Sequence, residues 1–248
     1  MNYEELMLRA ITKAEKFKFT AKPNPVVGAI VFKDNEIISE GYHETYGKNH
    51  AEINAIEKAK NYLGKKFESF SELSLICTLE PCSHHGKTGS CADFIVDTGF
   101  KNIIIGAIDP NPKVAGKGIK ILQDNNISVE FGLFEDLVEK QNKFFFYKHK
   151  NKKPYITIKI ASSLDGKSHY NDERVFITSQ SSLDDVQKIR AEYDAILTGG
   201  NTLRNDNPKM NSRVDFALNQ PKKILLTNNA YSKELDFFKN ASVDVFKI

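Results

Sequence analysis

Residues 50–63 (HAEINAIEKAKNYL) and 73–82 (LSLICTLEPC) decide how this chain folds. The first stretch predicts a helix that opens on His50. The second is a short apolar strand that runs into Cys82, and Cys91 opens another predicted helix. Because these three residues fall where strands meet helices, we expect two helix N-termini to converge on one point of an α/β layered domain.

The three side chains at that point suit a zinc ion. One imidazole (His50) and two thiolates (Cys82, Cys91) fill three positions of a tetrahedral site and leave the fourth open, as a catalytic zinc requires. Water in the open position becomes a usable hydroxide near neutral pH. Glu52 lies two residues beyond His50 and can move protons without binding metal. This order of residues is the signature of zinc-dependent nucleobase deaminases.

The composition is that of an ordinary globular protein. The 248 residues contain 40% hydrophobic and 27% charged residues, which is enough for one large domain or two modest ones. A net charge of +3 argues against nucleic acid or an anionic membrane as the main partner. The chain has only three cysteines, its N-terminus is acidic and unlike a signal peptide, and it has no apolar run long enough to span a membrane. We therefore expect a cytoplasmic, two-domain protein.

The remainder of the first half alternates between helical and strand patterns. A helix with apolar residues from Leu6 to Ala14 precedes a predicted hairpin, and strands and helices then follow in turn. This alternation predicts a largely parallel sheet behind the hairpin. The predicted strands cover residues 26–32, 36–41, 73–78, 102–108 and 127–131, and the later helices lie near 91–98 and 116–125.

A polar, basic run at residues 148–153 predicts the linker between a first domain, 1–147, and a second, 154–248. A helix over 182–193, capped by Ser181 or Ser182, is expected in the second domain. Its predicted strands cover residues 155–161, 195–198, 223–227 and 243–248. Because the sequence ends inside an apolar strand pattern, we expect this second domain to be incomplete.

Three segments make the chain resemble the bifunctional riboflavin-biosynthesis deaminase/reductase family: residues 80–91 (EPCSHHGKTGSC), 23–28 (PNPVVG) and 109–118 (DPNPKVAGKG). Eight residues separate Cys82 from Cys91, whereas the common deaminase pattern has only two residues between its cysteines. This longer insert distinguishes the family. The resemblance implies a three-layer α/β fold of the cytidine-deaminase type. It also implies hydrolysis of the 2-amino group of a diaminopyrimidinone ribosylamine 5′-phosphate, within a homo-oligomer.

The same resemblance assigns the residues of the first domain. It implies that His50, Cys82 and Cys91 bind zinc and that Glu52 shuttles protons. The substrate contacts that it implies are Asn24, His43, His84 and Lys87. An amide can read a pyrimidine edge, and a basic loop suits a phosphate.

The second domain resembles the family's reductase, which has a dihydrofolate-reductase-like α/β fold and takes NADPH. The motifs are residues 159–167, 177–179, 195–202 and 204–210. The implied cofactor contacts are Ala161, Phe176, Thr178, Thr202 and Asp206, and the implied substrate contacts are Arg174, Arg190, Met210 and Arg213. Because Gly199-Gly200 begins no complete glycine-rich phosphate motif, we expect deamination with weak NADPH binding or none.

Two other functions are compatible with the zinc ligands. The first is a deaminase of tRNA or of free nucleobases, which the eight-residue insert and the modest charge disfavour. The second is a structural zinc module without activity, in which His84 or His85 closes the site as a fourth ligand. A panel of substrates would distinguish the first alternative from the riboflavin-biosynthesis deaminase. Metal spectroscopy that shows no coordinated water would favour the second.

Overall fold

The structure is a computed structural model that describes residues 2–34, 36–64, 69–83, 89–168, 177–216, 219–239 and 242–247. The chain divides into two compact units, residues 1–156 and 157–248. None of the helices in these described ranges has the length and apolar character that crossing a membrane requires.

The first unit is built on a mixed sheet. Its strands are β1 (Gly28–Lys33), β2 (Glu36–Tyr42), β3 (Ser74–Leu79), β4 (Asn102–Ala107) and β5 (Ser128–Phe131). Their order is β2-β1-β3-β4-β5. The β1–β2 and β1–β3 pairs are antiparallel, whereas β3–β4 and β4–β5 are parallel. The predicted hairpin followed by a parallel sheet is therefore confirmed.

Helices cover both faces of this sheet. The helices are α1 (Tyr3–Ala14), with a 3-10 turn at Glu15–Phe17, α2 (Ala51–Leu63), α3 (Cys91–Thr98), α4 (Lys117–Asp124), α5 (Glu135–Gln141) and α6 (Lys143–Asn151). On β4, Ile103 and Ile105 face α2, α3 and α4, while Ile104 faces α1, α5 and α6. Because neighbouring strand residues point to opposite faces, a single strand anchors both helical layers. The expected three-layer fold is confirmed.

The second unit has a smaller, wholly parallel sheet. Its elements are α7 (Gln180–Glu192), β6 (Ala195–Gly199), α8 (Gly200–Asp206), β7 (Lys222–Leu226) and β8 (Val243–Phe246). The strand order is β6-β7-β8. Leu203, Leu225 and Phe237 form its fully buried core. The predicted helix near 182–193 and the predicted strands near 195–198, 223–227 and 243–248 are therefore confirmed, whereas α8 was not predicted.

Two predictions in this unit are wrong. Residues 155–161 form no strand, because no described strand pairs with them, and Ile158 and Ile160 remain 80% and 74% exposed. A strand needs a partner for its backbone N–H and C=O groups. Helix α7 is capped by Ser179 rather than by Ser181 or Ser182, since the Ser179 hydroxyl accepts the Ser182 N–H at 3.4 Å.

Helices α5 and α6 were not predicted from the sequence. Residues 148–151, within the predicted linker, are the last turn of α6. Basic side chains at a helix C-terminus interact favourably with the helix dipole, so a basic run fits a helix end as well as a linker. The position of the domain boundary stays a prediction.

Candidate functional site

The N-terminus of α2 carries the first metal-ligating residue. His50 is the N-cap, with extended backbone angles, and its side chain makes no capping hydrogen bond, so the imidazole is free to point elsewhere. Helix α2 lies directly on β2 at Gly41, where an added Cβ would lie 2.3 Å from the Ala51 carbonyl oxygen. This close approach fixes the start of α2, and with it His50, against the sheet.

The two cysteines reach the same point from β3 and α3. Nδ1 of His50 lies 3.2 Å from Sγ of Cys91 and 3.7 Å from Sγ of Cys82. The Cys91 N–H donates to Sγ of Cys82 at 3.4 Å. Ser90, the N-cap of α3, donates its hydroxyl to the Cys82 carbonyl at 2.9 Å and accepts the Asp93 N–H. The predicted convergence of two helix N-termini is confirmed.

The donor set fits zinc. The ligand atoms of His50, Cys82 and Cys91 all lie within 4.8 Å of one another. The hydrogen bond from the Cys91 thiol, aided by His50, lowers the pKa of Cys82 to about 4. The hydrogen bond to Cys82 raises the pKa of His50 to about 9. One imidazole nitrogen and two cysteine sulfur atoms are a donor set that zinc prefers.

Glu52 lies in the first turn of α2, beside these ligands and only 3% exposed. Burial raises the pKa of Glu52 to about 7. A carboxyl group with such a pKa can hold or release a proton near neutral pH, which is what a general acid–base residue does.

Two of the predicted substrate contacts are brought together beside His50. The ring of His43 lies 5.3 Å from that of His50, and its Nδ1 lies 3.1 Å from the Asn49 carbonyl oxygen. Burial lowers the pKa of His43. A neutral His43 that donates from Nδ1 accepts the Asn24 amide at Nε2, 3.1 Å away, and so orients that amide. The other predicted contacts, His84 and Lys87, lie outside the described residues, as does His85.

Sequence reasoning missed two buried polar residues around this site. The carboxylate of Glu80 accepts backbone N–H groups from the segment that begins at Asp109. The Asn142 side chain accepts the Val26 N–H at 2.7 Å and donates to the Val26 carbonyl at 3.0 Å, which holds the chain two residues after Asn24. Their partners are distant in sequence, so no local motif could have revealed them.

In the second unit the structure groups three of the predicted substrate contacts. Arg190, on α7, donates to the Asn211 carbonyl at 3.1 Å and lies 3.9 Å from Sδ of Met210. Burial, and then the nearby charge of Arg213, lower the pKa of Arg190. The charges of Arg190 and Arg213 therefore lie near enough to interact.

The predicted cofactor contacts of this unit are more dispersed. Thr178 precedes α7, Thr202 lies in α8 and Asp206 ends that helix, while Ala161 lies in the segment without secondary structure. Arg174 and Phe176 lie outside the described residues.

Family models match both halves of the chain. Residues 1–107 match the cytidine and deoxycytidylate deaminase zinc-binding region, and residues 154–243 match the RibD C-terminal domain. The riboflavin biosynthesis protein RibD of Bacillus amyloliquefaciens is 40% identical over 224 residues, which cover 90% of this chain and 58% of that protein. The chain thus spans just over half the length of such relatives.

Two further comparisons cover most of a relative. The diaminohydroxyphosphoribosylamino-pyrimidine deaminase of Buchnera aphidicola (Schizaphis graminum) is 46% identical over 140 residues, which are 56% of this chain and 90% of that protein. A structure of Acinetobacter baumannii RibD is 34% identical and superposes with a TM-score of 0.88 over 99% of this chain and 69% of its own. The agreement extends through both units, and the chain belongs to the RibD family of riboflavin biosynthesis proteins.

Proposed function

We propose that the first unit is a zinc-dependent deaminase of riboflavin biosynthesis. Its substrate would be 2,5-diamino-6-ribosylamino-4(3H)-pyrimidinone 5′-phosphate, hydrolysed to 5-amino-6-(5-phosphoribosylamino)uracil and ammonia. The observation that carries this proposal is the convergence of His50, Cys82 and Cys91 beside the buried carboxyl of Glu52. A zinc ion bound there supplies a hydroxide nucleophile at neutral pH.

The surrounding side chains have separate tasks in this proposal. Glu52 takes up a proton and delivers it to the nitrogen that leaves as ammonia. Asn24, oriented by His43, reads the edge of the pyrimidine ring. His84 and Lys87 provide positive charge for the 5′-phosphate. The support for these two is the family resemblance and their position in the sequence between Cys82 and Cys91.

The test is ammonia release from the phosphorylated diaminopyrimidinone. We expect turnover that stops when a chelator removes zinc and returns when zinc is restored. Cytidine, guanine and a tRNA anticodon stem-loop serve as the panel for the alternative deaminases, and preference for one of them would replace the proposed substrate. A zinc-loaded protein that turns over none of these and shows no metal-coordinated water would favour the structural zinc module.

We infer that the second unit is a reductase domain whose reaction would be an NADPH-dependent reduction of the ribosyl group. The incomplete glycine-rich motif at Gly199-Gly200 still predicts that this chain binds NADPH weakly or not at all. The match to the RibD C-terminal domain over residues 154–243 supports this, as does the cluster of Arg190, Met210 and Arg213. Titration of the chain with NADPH, followed by nucleotide fluorescence, tests it. Saturable binding would contradict the predicted weak binding, and its absence would contradict a cofactor role for Ala161, Phe176, Thr178, Thr202 and Asp206 in this chain.

The proposed organisation follows from these two activities. Residues 1–147 would carry the deaminase and 154–248 the reductase, with 148–153 between them; the division into compact units near residue 156 supports this. We further propose a cytoplasmic homo-oligomer whose ligands are small phosphorylated pyrimidines rather than nucleic acid or membranes. Sedimentation of the zinc-loaded chain measures its oligomeric state.

A further inference from the structure

Glu80 carries a buried carboxylate. Among the described residues, its hydrogen-bond donors are backbone N–H groups rather than positively charged side chains. It is 3% exposed and lies at the end of β3. Its Oε2 accepts the N–H of Asp109 at 3.1 Å and of Gly116 at 2.9 Å. Its Oε1 accepts the N–H of Gly118 at 2.9 Å and of Ile119 at 3.2 Å. Four hydrogen bonds compensate for burying this charge.

Three of these donors belong to the N-terminus of α4. The first N–H groups of a helix have no partner within the helix, and a side chain at the N-cap usually accepts them. The N-cap of α4 is Gly116, which has no side chain. Glu80 therefore caps α4 from a strand that lies 36 to 39 residues earlier in the sequence, and the positive end of the helix dipole stabilises its charge.

The same contact presses α4 against the backbone that carries Cys82. A Cβ added to Gly118 would lie 2.0 Å from the Pro81 carbonyl oxygen, so only glycine allows this approach. The Ser83 hydroxyl donates to the Lys113 carbonyl at 3.4 Å. The chain on both sides of Cys82 is thus held by the segment that Glu80 anchors.

We propose that Glu80 is a positioning residue for the metal centre, which fixes Cys82 at ligand distance by tying the end of β3 to the N-terminus of α4. Glu80 is not one of the clustered metal-ligating residues, and its carboxylate is occupied by backbone N–H groups, so it would act on the metal through Pro81 and Cys82. The inference deepens the proposed function, but it rests on the metal site alone and is independent of which amine is hydrolysed.

The first test compares metal binding by the full chain and its Glu80→Gln variant. The amide of glutamine has the same shape as the carboxylate but presents an NH2 group to backbone N–H donors, so about half of the hydrogen bonds are lost. We expect zinc affinity, measured by competition with a chromogenic chelator, to fall roughly 10- to 100-fold. The thiolate-to-metal charge-transfer band of the Co²⁺-loaded protein should also weaken.

Two control variants separate positioning from a general loss of stability. Ile104→Val removes a methyl group from the core layer of α1 and should leave zinc affinity unchanged although the fold is weakened. Glu72→Gln alters an exposed carboxylate that pairs with Lys33 and should also leave it unchanged. Wild-type zinc affinity and an unchanged cobalt spectrum in folded Glu80→Gln would overturn the proposal.

A second variant decides the question if Glu80→Gln does not fold. Gly118→Ala pushes α4 away from Pro81, while alanine itself favours the helix. We expect it to lower zinc affinity in the same way. In the wild-type chain, zinc should slow hydrogen exchange of the Gly118 and Ile119 amides, because coupling between two sites is reciprocal. Unchanged exchange there on metal binding would contradict the link between Glu80 and the metal.

Discussion

The two sheets of this chain differ in how completely their described residues bury them. In the first unit, the two sides of β4 face separate helical layers, and Ile103, Ile104 and Ile105 are at most 1% exposed. In the second unit, one side of the sheet is buried, because Leu225 of β7 packs there against Phe237. Leu197 and Phe246 lie on the other side and are 58% and 52% exposed.

The candidate sites follow the same difference. In the first unit His50 and Cys91 lie at helix N-termini packed against the core and Cys82 follows β3, while Glu52 is almost fully buried. In the second unit Arg190 is half-buried, Arg213 is exposed and Asp206 is exposed. Burial strengthens electrostatic interactions and fixes side-chain geometry, so a preorganised catalytic site requires the kind of packing that the first unit has.

The largest effect that we predict is the loss of deamination in Glu52→Gln. Zinc content should stay at one ion per chain, because Glu52 is not a ligand, while ammonia release falls by roughly 10²- to 10⁴-fold. NADPH binding by the second unit should not change, which would separate the two sites functionally. Glu72→Gln, at an exposed position, is the matched control. Substantial remaining turnover would remove Glu52 from the proton transfers.

Much of the first unit can be predicted from sequence because its signals are local. The helix that opens on His50 and the strand that ends before Cys82 carry both the fold and the metal ligands. Glu80 could not be found in this way, since its donors lie 29 to 39 residues away, and Asn142 contacts Val26 across 116 residues.

The failures in the remainder of the chain have a different cause. Helix α6 contains three consecutive phenylalanines, residues 144–146. Aromatic residues favour strands, so this segment is helical because Phe146 packs into the core of the first unit. Residues 155–161 have the composition of a strand, but a strand exists only when its backbone has a partner. Local propensity therefore predicted an element that the described structure does not form.

A pair of isoleucine substitutions measures the difference between the units. Ile105→Ala empties a fully buried position in β4 and should lower the free energy of unfolding by about 2–5 kcal/mol. Ile158→Ala, at a position 80% exposed, should change it by less than about 0.5 kcal/mol. Denaturant unfolding of both variants gives the two values. A cost for Ile158→Ala that approaches that of Ile105→Ala would show that this segment is packed in solution.

The smallest effects should come from charged groups, and they too should differ between the units. Glu40 on β2 accepts hydrogen bonds from Arg9 and Lys13 of α1 and from the Tyr42 hydroxyl. Partial burial raises the pKa of Glu40, but these three hydrogen bonds outweigh it and hold the pKa below its usual value. In the second unit the Lys222–Asp244 pair joins β7 to β8 at 2.7 Å, with both side chains more than 40% exposed.

The pKa of Glu40 is lower in the folded protein than its unfolded value of 4.5. Its ionised carboxylate therefore stabilises the fold at pH values above 4.5, and this stabilisation is lost as the pH falls below that value. Glu40→Gln should therefore cost up to about 1 kcal/mol at pH 7, and the difference from wild type should shrink below about pH 4. Asp244→Asn should cost less at pH 7, because water screens both partners. Urea unfolding between pH 3 and 7 measures both. If Glu40→Gln remained equally destabilised at pH 3, shape rather than charge would hold α1 to β2, and the two units would not differ in their electrostatics.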